Sequence, residues 1–281
     1  MLREHVCRFW CDADDAANGH LNRQDCLSIP HVFETYRPSQ RERGQPMQPE
    51  TTIDRNQTLQ IRRLGAIALL MMPLCYVCMF VVFGVMLTMP QTGVLTDKIA
   101  YLVANQGIIS IGYISGYLIF GCLLLIAVQA LHNRMTKGPS LLLNSASAFG
   151  FIWVVMMMCS GMIALVGLNT MATLHARASE HVETLFLVYT TITNALGGGI
   201  ELIGGLWVLL LSISGLQRHC LSKGLGLFGI AVGMLGVSTL YQGIPELKDA
   251  FGLSQIVWFV WMGVALIPKK SSINDQAVIS S

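Results

Sequence analysis

Glu201 is the only acidic residue set deep inside a long apolar segment of this sequence, and five glycines flank it within Asn194–Gly205 (NALGGGIELIGG). Asn194, Gly198, Glu201, Gly205 and Val208 recur at spacings of three and four, so on a helix they share one face; Gly197 and Gly204 lie beside it. A carboxylate in hydrocarbon costs about 3 kcal/mol or more, so an acid in such a segment turns to the bundle interior and takes a partner or water. The spacing makes Glu201, Asn194, Gly197, Gly198, Gly204 and Gly205 the candidate polar site. Gln129, Asn144, Tyr113, Tyr117, Ser238 and Gln255 are candidate partners for the carboxyl, because no basic residue lies well inside an apolar run.

Other constellations have plainer readings. His5, Cys7, Cys11, His20, Cys26 and His31 invite zinc, but their spacing fits no standard finger. Cys75 and Cys78 form a CxxC inside an apolar run, where they read as packing rather than redox chemistry. Met156, Met157 and Met158 point to three different helix faces, which suits soft filler better than a metal site. His175, Arg177, Glu180, His181 and Glu183 read as a solvated loop. Residues 224–229 match GxGxxG, yet no strand precedes them, so the glycines read as helix contacts and not as a dinucleotide loop. No HExxH, GxSxG or paired intramembrane carboxylate is present, and no catalytic group, metal or cofactor is expected.

The elements that must carry Glu201 follow from composition. The chain has 281 residues, 53% hydrophobic and 12% charged, against roughly 25% charged in ordinary soluble domains. Apolar runs of about 20 residues recur, the length that crosses a bilayer core of about 30 Å. A net charge of +2 gives no reason to expect nucleic acid, and the lipid bilayer is the expected partner, with other membrane proteins or a second copy beside it. The expected class is all-α, a bundle of six transmembrane helices at about 64–87, 107–131, 146–171, 182–216, 225–241 and 253–267.

Details of those elements are also legible. Pro73 falls inside the first helix, Thr96 or Asp97 is a credible cap after the turn at 89–93, and Gly112, Gly116 and Gly121 give the second helix a close-packing face. Val182–Leu216 would run about 52 Å as a helix, which exceeds one crossing and puts Glu201 about 22 Å from Leu216. Residues 1–60 are polar, without periodicity, and read as mostly disordered; Met47 is a candidate start, since residues 47–63 make a short polar lead into the first helix, and with no apolar core near Met1 the segment does not read as a cleaved signal peptide. The membrane domain is then 61–270 and a polar tail 271–281.

Charge orients the bundle. Arg55, Arg62, Arg63, Arg134, Lys137, Arg218, Lys223, Lys269 and Lys270 fall at one set of helix ends, and Lys98, Arg177 and Lys248 at the other. Nine against three predicts both termini in the cytoplasm.

The layout resembles a bacterial six-helix membrane family labelled domain of unknown function 4386. The stretches that carry the resemblance are Val103–Gly107 before the second helix, Leu221–Gly226 opening the fifth and Gln255–Gly263 in the last. The resemblance covers about residues 60–270 and implies a six-helix fold in the bacterial inner membrane. It implies no activity and no site residues.

Two functions from different classes remain. The first is a structural or accessory membrane component, with Glu201 a hydrogen-bonded packing residue; on sequence it stands slightly ahead, since no internal repeat of a transporter kind is apparent. The second is transport or binding of a small solute or cation at Glu201. A cavity reaching Glu201 would favour binding, and a sealed, hydrogen-bonded carboxyl would favour structure.

Overall fold

The computed structural model describes residues 52–90, 94–241, 243–244 and 246–268. The histidines and cysteines at 5–31, the Met47 start, the turn glycine at 93 and the polar tail lie outside the described residues.

Among the described residues the chain is helical, without strands. Helix α1 is Thr52–Phe80, running on into a π-helical turn, Val81–Met86. Helix α2 is Leu95–Ala104. Helices α3 (Gln106–Tyr113) and α4 (Phe120–Met135) are joined by a second π-helical turn, Ile114–Ile119, into one rod. Helices α5 (Leu141–Ala176), α6 (Val182–Gln217), α7 (Lys223–Ser238) and α8 (Glu246–Leu266) follow. Five of these rods are long and apolar enough to cross a membrane; α7, with 16 residues, is shorter. The first helix begins at Thr52, twelve residues before the start expected at Leu64, so part of the segment read as disordered is helix. Helix α2 starts at Leu95 behind Val94, without a side-chain cap, so Thr96 and Asp97 fall in its first turn instead of capping it.

The glycines fix how the rods pack. Gly65 lies against Ala130 and Gly116 against Met79, which sets α1 antiparallel to the α3–α4 rod. Gly121 meets Met157 and Met158 while Gly161 meets Tyr117 and Leu118, so α5 runs antiparallel to that rod. Gly167 on Tyr189, and Gly204 on Trp153, do the same for α5 and α6. Leu266 returns to Gly65, and Arg62 donates to the Leu266 carbonyl at 3.5 Å, so the end of α8 lies at the start of α1. Each rod packs on its chain neighbours and α8 closes on α1, which makes an up-and-down ring of six.

Large aromatic side chains fill that ring. Phe120, Trp153, Trp207, Trp258 and Phe259 are each almost wholly buried, and Trp153 stacks on Phe259 at 6.4 Å between ring centroids. Phe120 meets Tyr76, Trp153 and Phe259 edge-on, and Trp207 meets Trp258 the same way. Outward positions carry bare apolar side chains, among them Phe80, Val85, Ile111, Val155, Val166, Val257 and Val264. A helix apolar on both its core and its outer face needs lipid outside it, so the chain is a multi-pass membrane protein.

Helices α5 and α6 have 36 residues each, about 54 Å, and outrun a bilayer core of about 30 Å. A second cluster of Ile99, Met171, Phe186 and Tyr189 fills their overhang, with α2 laid across it. At the opposite end, the Arg218 guanidinium donates to the carbonyls of Met135, Gly138 and Pro139, tying the end of α4 to the end of α6. Cationic donors suit the exposed carbonyls at helix C-termini.

Candidate functional site

Glu201 lines a cavity of about 90 Å³ together with Tyr76, Met79, Gly116, Tyr117, Phe120, Met157 and Ile200. Four rods meet there at one level, and two of them are locally widened. Gly116 and Tyr117 belong to the π-helical turn Ile114–Ile119; Tyr76 and Met79 come just before the turn Val81–Met86. A π-helical turn adds a residue to the helix circumference and shifts the side chains beyond it, and such turns are frequent at functional sites. Gly116 leaves a notch in that turn which the Met79 thioether occupies.

The carboxyl is half-buried and its Oε2 is buried without a hydrogen-bond partner. Leaving such an atom unpaired costs about 1–3 kcal/mol, more for a charged group. Tyr76 donates from its hydroxyl to the Gln255 side-chain oxygen at 3.1 Å, and the Gln255 Nε2 is likewise buried and unpartnered. Phe120 separates the cavity from the aromatic cluster of Trp153, Trp207, Trp258 and Phe259. That cluster blocks the interior toward the Arg62 and Arg218 end of the ring.

The sequence-predicted residues do not all converge. Glu201 is at the cavity. Gly204 lies under the Trp153 ring, and Gly205 sits against the backbone of Gly233 and Gly236, where an added Cβ would stand 2.8 Å from the Gly236 Cα. Gly204 and Gly205 are therefore helix contacts next to the site. Asn194 is exposed, about 10 Å farther along α6, and does not share the site. Gly197 and Gly198 are part of the continuous helix α6; what surrounds them lies outside the described residues. Of the candidate partners, Tyr117 reaches the cavity and Gln255 approaches through Tyr76. Ser238 donates to its own helix at Met234, and Gln129 and Asn144 are exposed.

Tyr76, Phe120 and Met157 are the residues that sequence reading missed. Tyr76 is the one polar side chain between Leu64 and Phe83 apart from cysteines, which is a signal the sequence does hold. Cys75 is buried, Cys78 half-buried, and both are free thiols. Met157 alone of its run of three reaches the cavity. No group of three metal-ligating side chains gathers among the described residues.

Comparison of the chain with protein-family models, with curated proteins and with solved structures finds no match.

Proposed function

We propose that this is a membrane-embedded binding protein that takes a small cation or proton at Glu201. One observation carries the reading: Glu201, whose Oε2 is buried without a partner, lines a cavity with room for several water-sized groups. A packing glutamate would be expected to have spent that oxygen on a neighbour. The accessory-component reading is favoured by the glycines, because Gly204 and Gly205 are explained by Trp153 and by α7 without any ligand. It leaves the open carboxyl unexplained. Binding is preferred to alternating-access transport because α6 runs unbroken past Glu201 and the aromatic cluster closes the ring below it.

In the same reading the protein crosses a bacterial cytoplasmic membrane six times, with both termini inside. Helix α7 supports this despite its length. The chain leaves α6 at the Arg218 end and α8 finishes at the same end beside Arg62, which supports α7 carrying the chain across. Arg62, Arg134, Lys137, Arg218 and Lys223 mark that end as the cytoplasmic one. The bacterial location rests on the family resemblance.

The test uses the full chain in lipid nanodiscs. Thermal unfolding is followed with sodium, potassium, magnesium, ammonium and methylated ammonium ions, at several pH values, for wild type and Glu201→Gln. At least one cation, protons included, is expected to raise the midpoint of the wild type and leave Glu201→Gln unmoved; ligand at a hundred times its Kd adds about 2.7 kcal/mol. Identical responses of the two proteins to every cation would sink the proposal.

A further inference from the structure

Resting on Glu201 as the binding carboxyl, we propose that its ligand is a small methylated ammonium group, of about trimethylammonium size, and not a metal cation. The lining carries the inference. One carboxylate is accompanied by three aromatic rings, Tyr76, Tyr117 and Phe120, two thioethers, Met79 and Met157, and Ile200. A hard cation needs six or more oxygen ligands, or keeps its own water shell; one carboxylate and two phenols fall well short. An alkylated ammonium has lost most of its hydrogen-bonding demand and is held by charge and by π faces. Aromatic rings around an acid are the usual environment for such groups.

Size narrows the class. A cavity of about 150 Å³ takes benzene, six non-hydrogen atoms. On that scale a cavity of about 90 Å³ takes roughly four, the count in trimethylammonium. A bare ammonium ion would leave most of the apolar lining without contact. A larger head held wholly within the lining would have to displace Met157 or Phe120, and Phe120 is fixed by Tyr76, Trp153 and Phe259 around it.

The experiment measures binding of ammonium, methylammonium, dimethylammonium, trimethylammonium and tetramethylammonium to the full chain in nanodiscs. Sodium and potassium are the metal controls, and tert-butanol, uncharged and with the five non-hydrogen atoms of tetramethylammonium, is the neutral control. Affinity is expected to climb with methylation to a maximum near trimethylammonium, with tert-butanol at least tenfold weaker. Tyr117→Phe, which keeps the ring, should hold within about threefold of wild type, and Tyr117→Leu should lose about tenfold. Sodium or potassium protecting as well as trimethylammonium, through Glu201, would overturn the ligand class while leaving Glu201 as a cation site. Equal binding of tert-butanol and trimethylammonium would overturn it as well. No cation protecting in a Glu201-dependent way would remove both proposals. Should Tyr117→Leu fail to fold, the methylation series and the neutral control decide the matter on wild-type protein alone.

Discussion

The Glu201 carboxyl sits where stability and binding pull in opposite directions. Its Oε2 is buried without a partner, and the cavity beside it forfeits the contacts that a filled interior would make. Filling that space with an apolar side chain removes both costs. Glu201→Leu is therefore expected to raise the unfolding stability of the ligand-free protein by about 1 kcal/mol, read as a higher thermal midpoint in nanodiscs. A midpoint several degrees lower would mean that the carboxyl holds the bundle together, as the accessory-component reading requires. Glu201 stands out in the sequence because an isolated acid in an apolar run is unusual on composition alone, and the structure places it on a cavity. Asn194 was drawn in by helical spacing, but seven residues along α6 is about 10 Å, more than a cavity of this size spans. Tyr76 and Phe120 were invisible because their approach depends on which rods pack together, and no spacing within one helix encodes that.

At the scale of the element, the α6–α7 pair explains the glycines that first drew attention. Leu216 meets Gly226, Ser212 meets Gly229, Leu209 meets Gly233, and Gly205 meets Gly236, one antiparallel register held over four contacts. With no side chain at Gly205, Gly233 and Gly236, the two backbones touch, and van der Waals contact takes the place of a hydrophobic drive that lipid does not supply. Continuing the register one turn brings Glu201 level with Leu240, just past the end of α7 at Ser238. The seam thus runs out at Glu201, whose backbone carbonyl lies against Gly236, while its side chain lines a cavity formed by the other rods. Gly205→Ala is expected to cost about 1–3 kcal/mol, since the added carbon meets backbone that cannot move aside. Gly107→Ala, where an added carbon meets nothing within 4 Å, should be neutral or stabilising by a few tenths of a kcal/mol. A gain at both positions, by chemical denaturation, would show that helix propensity and not the seam governs these sites. The close-packing role of these glycines could be read from their spacing. The π-helical turns could not, because an extra residue per turn leaves no mark in a pattern of uniformly apolar side chains.

For the whole molecule, the count of crossings turns on α7. Its 16 residues span about 24 Å, short of a bilayer core of about 30 Å, and by length alone it could be taken for a re-entrant segment. The ring argues otherwise. Helix α6 ends where Arg218 clasps the carbonyls of Met135, Gly138 and Pro139, and α8 ends where Leu266 meets Arg62. On the six-crossing proposal, α7 joins the first of these points to the start of α8 at the far end, and a local thinning of the bilayer or the turn Thr239–Tyr241 makes up the difference. The same proposal takes its direction from the positive charge. In a cysteine-free background, His219→Cys should react with a membrane-impermeant maleimide only after the cells are opened, and Gly243→Cys should react on intact cells. Labelling of both from the same side would make α7 re-entrant, reduce the crossings to five and put the termini on opposite sides. The cavity lies on the α2 side of the aromatic cluster, so the same orientation decides which compartment a ligand comes from. With the basic end inside, trimethylammonium added outside sealed vesicles of native orientation should protect Glu201, whereas trimethylammonium confined to the lumen should not.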